Sequence, residues 1–182
     1  MAPKNIYKRK GFVTIGRVAP VKRLDLILKI IAELKFNYHQ NHQLDIYGPV
    51  FTQDETYHQY LISLTNTLKI KDDIFFRGEV RYEQVPAILN QHRFFISFNE
   101  GGLDKAVLEA MACGLPVITP NLCVAEILPN DLSRDLMVAP MDLIGQCQII
   151  NNINSWNEEL YKQIGLRLRS VVVSNHSLTH WS

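Results

Sequence analysis

Two short stretches of this chain carry the residue types that bind anions. The first is Gly16-Arg17-Val18-Ala19-Pro20-Val21-Lys22, which follows a β-rich run and puts a guanidinium and an ammonium in one loop at the start of a helical pattern. Cations that converge near exposed helix-start N–H groups suit a diphosphate. The alternative is two solvated charges in an ordinary strand-to-helix loop. The second stretch is Asn99-Glu100-Gly101-Gly102-Leu103-Asp104-Lys105, leading into a helix that carries Glu109. A glycine pair before a helix lets backbone approach a ligand and turn N–H groups toward it. Two turns on, the Glu109 carboxylate could accept hydrogen bonds from a ribose diol. On these residues alone the plainer account stands beside it: a glycine turn, Asp104 as helix cap, and Glu109 as a surface acid.

Other chemistries lose their usual support. No G-x-G-x-x-G follows the first strand and no G-x-x-x-x-G-K-[ST] occurs, so nicotinamide cofactors and P-loop hydrolysis are not indicated. His39, His42 and His58 lack metal-ligand spacing and read as solvated; no metal or cofactor is expected. Cys113, Cys123 and Cys147 are odd in number with no C-x-x-C pair, which fits reduced thiols in a cytoplasmic protein. A formal net charge of +1 gives no global field for nucleic acid. No apolar run approaches the roughly 18 residues of a membrane span, and Met1-Ala2-Pro3-Lys4-Asn5 lacks a signal peptide's apolar core.

The elements that must position these loops alternate along the chain. Gly11–Gly16 reads as a strand, and Leu24, Ile27, Leu28, Ile31 and Leu34 mark a helix over about 22–38. Leu44–Tyr47, Ile74–Phe76, Phe94–Phe98 and Pro116–Thr119 read as further strands. Helices are expected through Tyr57–Leu68, Val85–Leu89 and Val107–Met111, with Gly114 as a C-cap. Leu136–Val138 reads as an edge strand, followed by helices near 141–152 and 157–173. Continuously apolar strands are buried on both faces, so the order predicts an α/β, three-layer, Rossmann-like parallel sheet with helices on both faces. At 182 residues, 47% hydrophobic and 20% charged, the chain supports one such domain over 1–182.

The run Leu108-Glu109-Ala110-Met111-Ala112-Cys113-Gly114-Leu115-Pro116-Val117-Ile118 resembles the signature of the retaining family-4 glycosyltransferases of GT-B fold. Gly16-Arg17 with Lys22 is similar to their diphosphate loop; Ile46-Tyr47-Gly48 and Phe75–Val80 occupy two further landmarks. The resemblance implies a single GT-B half that binds a UDP- or GDP-type sugar donor, for transfer to an acceptor hydroxyl with retention. It implies that Arg17 and Lys22 hold the diphosphate, with backbone near Gly102 and Leu103 facing phosphates and sugar. Glu109 would hold the ribose, and Glu79-Val80 would lie near the base. The family pairs two glutamates eight positions apart, whereas eight before Glu109 stands Gly101, and Glu100 is one place out of register. A variant loop would make Glu100, Gly101, Asp104 and Lys105 the donor-sugar contacts. A complete enzyme of this kind also has an N-terminal acceptor domain carrying most catalytic groups. The chain alone is therefore expected to bind donor and transfer poorly. The full enzyme would act on acceptors at the cytoplasmic face of the membrane. Competing readings are a non-catalytic interaction module and half of a sugar-nucleotide epimerase.

Overall fold

The structure, a computed structural model, describes residues 9–99 and 101–176, and Glu100 lies outside them. Five parallel strands form its sheet: β1 (Phe12–Ile15), β2 (Leu44–Tyr47), β3 (Ile74–Gly78), β4 (Phe94–Ile96) and β5 (Val117–Ile118). Their order is β3-β2-β1-β4-β5. The central pairs are buried on both faces, which is why their sequences run continuously apolar. Phe12 faces Leu44 on one side and Phe94 on the other, and the Phe12 and Phe94 rings stack 4.9 Å apart.

Helix α1 (Leu24–Phe36) buries Leu24, Ile27, Leu28, Ile31 and Leu34, the five positions the helical spacing singles out. Each fully buried aliphatic side chain contributes about 1.5–3 kcal/mol. Beside α1 pack α2 (Glu55–Thr67) and α7 (Leu143–Asn154). A second layer is formed by α3 (Val85–Leu89), α4 (Lys105–Ala112) and α8 (Glu158–His176). The three-layer Rossmann-like architecture expected from the sequence is thus the one observed.

Two glycines are demanded by close backbone approach. At Gly48 (φ 148°) an added Cβ would collide with the Gly16 carbonyl, so the ends of β1 and β2 meet only because no side chain intervenes. Gly114 (φ 67°) ends α4 and also faces Gly165 of α8, where an added Cβ would sit 2.6 Å from the Gly114 oxygen. It is more than the C-cap its sequence position suggests.

Some local expectations need correction. Leu136–Val138 forms no strand: Leu136 ends α6 (Asn130–Leu136), and only a single bridge, Thr119 to Met137, continues the sheet. That apolar run is too short to separate a strand from a helix end. Helix α5 (Leu122–Ile127) also follows β5, where the sequence shows no clear period. His42 and His58 are partly buried against aromatic rings, Phe12 and Phe76, rather than solvated.

Candidate functional site

Neighbouring strands β1 and β4 send their connections to opposite faces of the sheet, the kind of switch point at whose carboxyl ends doubly wound sheets hold a ligand crevice. The β1 loop enters it pinned by Val18 and Ala19, which are buried, so the charges beside them are held near the rim. Backbone bonds lace the neighbouring strand ends together: Gly16 N–H to Tyr47, Gly48 N–H to Gly78 and Val18 N–H to Pro49. These bonds are the physical content of the glycine landmarks at 16, 48 and 78.

Arg17 and Lys22 straddle the end of β1 and reach opposite ways. Arg17 is 42% exposed; its Nε lies 3.4 Å from Oδ2 of buried Asp54, after β2, and its guanidinium sits 5.8 Å from the Phe51 ring centroid. Lys22, at the end of a 3₁₀ turn over Pro20–Lys22, lays its side chain along Gly16. Its ammonium donates to Asp104 Oδ2 at 2.6 Å, with the two side chains 22% and 12% exposed. The two cations share a loop, but each is matched to an acid from a different neighbouring loop.

On the β4 side, Asp104 caps α4: Oδ1 accepts from the Ala106 N–H at 3.2 Å. An added Cβ at Gly102 would meet nothing within 4 Å, so glycine there leaves open space. Leu103 packs partly into the core and fixes the loop's far end. Buried Asn121, the cap of α5, holds the loop from beneath. Its Nδ2 donates to the carbonyls of Asn99, Gly101 and Gly102 at 3.1, 2.9 and 3.2 Å, and its Oδ1 accepts from the Cys123 N–H. Sequence reading missed Asn121 and Asp54. Both follow strand carboxyl ends, and that position is the signal that could have found them.

Glu109 lies one and a half turns into α4 and lines a cavity of about 550 Å³ with Tyr82, Pro86, Asn90, Cys113 and Arg169. Its Oε1 is shielded from solvent and accepts no hydrogen bond; the nearest cation is Lys105 Nζ at 3.6 Å. Lys105 also sits 4.3 Å from the Tyr82 ring centroid, joining α4 to the β3–α3 loop that carries Glu79 and Val80. Glu79 is exposed, and Val80 packs against the core. Burial pushes the Cys113 thiol above its ordinary range, against the pull of Arg9 and Arg169, so it stays a protonated lining group. Helix α4 and its cap thus pair Lys22 with Asp104 and Lys105 with Glu109, while Arg17 pairs with Asp54 on the β2 flank. Among the described residues, no three His, Cys, Asp or Glu side chains are placed to hold a metal ion.

A doubly wound parallel sheet whose strand order switches between β1 and β4 defines a Rossmann-like domain. The chain belongs to the family of glycosyl transferases group 1, whose model matches residues 2–140. No curated protein matches it in sequence. Among solved structures, a TarM variant from S. aureus in complex with fondaparinux, alpha-GlcNAc-glycerol and UDP superposes with TM-score 0.79 at 18% identity, over 99% of this chain and 35% of that one. HepE from Anabaena in complex with UDP and glucose gives TM-score 0.81 at 14% identity, over 96% and 46%. The C-terminal domain of the group 1 glycosyl transferase LpcC from Francisella tularensis gives 0.76 at 17%, over 94% and 89%. The chain spans between a third and half of the first two proteins and nearly all of the isolated domain.

Proposed function

We propose that this chain binds the nucleotide diphosphate of a sugar donor, as one half of a glycosyltransferase that passes the sugar to an acceptor hydroxyl with retention. In this reading Lys22 holds the diphosphate, joined by Arg17 once it turns from Asp54, and the backbone at Gly102 and Leu103 faces the phosphates. Gly101 and Lys105 lie toward the sugar. Glu109 accepts from the ribose diol, and Glu79-Val80 border the base. The bond from the anomeric carbon to the diphosphate breaks, and the cations stabilise the charge that develops on the leaving group. No metal ion is assigned to that step. Acceptor and catalytic groups belong to a second domain, so the 182-residue chain binds donor without appreciable transfer. Three free thiols suit a cytoplasmic setting.

The observation that carries this reading is Glu109 Oε1, a shielded oxygen that accepts no hydrogen bond and has only a 3.6 Å ion pair with Lys105, on the wall of a cavity beside the β3–α3 loop. A buried acceptor without a hydrogen bond costs up to about 1–3 kcal/mol, offset in part here by the Lys105 ammonium, and a ribose hydroxyl would supply the missing bond. UDP in the TarM and HepE structures makes uracil the first base to test. Calorimetry should show micromolar to millimolar binding of UDP or GDP. Glu109→Ala should weaken that binding about tenfold and leave pyrophosphate binding unchanged. Absence of binding to any nucleotide would favour the non-catalytic module instead.

A further inference from the structure

We propose that Asp104 is a built-in stand-in for a donor phosphate: its carboxylate occupies Lys22 and the first turn of α4, and the diphosphate binds by displacing it. The inference rests on the donor-binding reading above and adds a residue that sets how tightly the site takes an anion. A phosphate at this crevice needs two kinds of donor, a cation from the β1 loop and N–H groups at the start of α4. Asp104 already satisfies one of each. Oδ2 accepts from Lys22 Nζ at 2.6 Å and Oδ1 accepts from Ala106 N–H at 3.2 Å. The two oxygens divide between those donors as two oxygens of one phosphate would.

Space and charge make the exchange feasible. Gly102, two residues before Asp104, has nothing within 4 Å of where a Cβ would stand. The carboxylate carries one negative charge and a nucleoside diphosphate carries more, so the larger charge wins the ammonium and the helix start. The pair holds the Lys22 ammonium beside Gly16 and leaves no unmatched charge at a mostly buried position. Its consequence is that wild-type affinity is held below what the donors alone would give.

The test is a double-mutant cycle by calorimetry on the 182-residue chain with Asp104→Asn, Lys22→Ala and both together, titrated with UDP and with uridine. Asparagine caps a helix as well as aspartate does, so the variant keeps the start of α4. Asp104→Asn should bind UDP about five- to tenfold more tightly, with no gain for uridine. In the Lys22→Ala background the gain should shrink to about twofold or less, because no ammonium remains to be released. Unchanged or weaker UDP binding by Asp104→Asn, with wild type still binding, overturns the inference and leaves the donor reading intact. A gain of equal size in both backgrounds reduces Asp104 to simple charge repulsion and overturns the inference as well. If none of the four proteins binds UDP, the donor reading falls and takes this inference with it.

Discussion

The two ends of the sheet treat their charges in opposite ways. At the amino end, three arginines are tied to neutral oxygens inside the fold, beside one ion pair, Lys35 with Asp73 at 2.7 Å. Arg9 donates to Asn90 and to the Cys113 carbonyl, Arg93 to the Asn154 carbonyl, and Arg169 to the Ala112 carbonyl. Tyr161, 2% exposed, donates to the Arg93 carbonyl at 2.5 Å, while His42, Gln40 and Asn154 bond to one another. At the carboxyl end, Arg17 and Lys22 instead face carboxylates, next to open space at Gly102 and a Glu109 oxygen that accepts no hydrogen bond. Neutral acceptors hold a cation in place permanently, whereas a carboxylate can be exchanged for another anion. The contrast lies in the acceptors and not in open space, since the amino rim has its own recess of about 470 Å³ lined by Arg9, His42 and Arg93.

That contrast is open to attack by mutation at each rim, with ligand affinity and stability read together. The largest effect belongs to Lys22→Ala, which should weaken UDP binding on the order of ten- to a hundredfold and lower Tm by a few degrees, because the Asp104 carboxylate loses its cation; calorimetry and thermal unfolding on the same samples check both halves. Next comes Tyr161→Phe at the amino rim, which deprives a buried carbonyl of its donor. It should cost about 1–2 kcal/mol, a fall in Tm of roughly 2–8 °C, and leave UDP affinity as it was. A loss of binding in this variant would mean the rims are not independent.

The smallest effect is a pH dependence at His42. Burial, helped by Arg93, lowers its pKa from 6.5, so the native state disfavours the charged ring. Its stabilising contribution is complete above pH 6.5 and is lost as the pH falls from 6.5 through the lowered native pKa. His42→Gln should flatten the dependence of Tm on pH in that window. An unchanged slope would place the acid sensitivity elsewhere.

Much of this organisation is written plainly in the chain. The strands are legible because burial on both faces leaves Phe12-Val13 and Phe94-Phe95-Ile96 continuously apolar. Helix α1 is legible because its buried residues recur at helical spacing. Lys22 and Glu109 stand out because the segments that carry them, a turn and a helix, follow strand ends. The region after β5 is poorly legible: α5 and α6 are only 6 and 7 residues long, too brief for a period to emerge. Pairings are harder still. Arg17 with Asp54 and Asn121 with three loop carbonyls join residues far apart in sequence, and neither has a spacing to read. The sequence suggests two cations converging on one anion, whereas the folded chain sends them to opposite flanks.

The direct test of the central claim, that the carboxyl-end crevice takes the donor diphosphate, is to locate UDP on the protein by NMR titration of backbone amides. The account predicts shifts at Gly16, Lys22, Gly102, Leu103 and Ala106, with Gly11, Gln43 and Arg93 at the opposite rim undisturbed. Shifts confined to the amino rim, or scattered without a cluster at the start of α4, would contradict it.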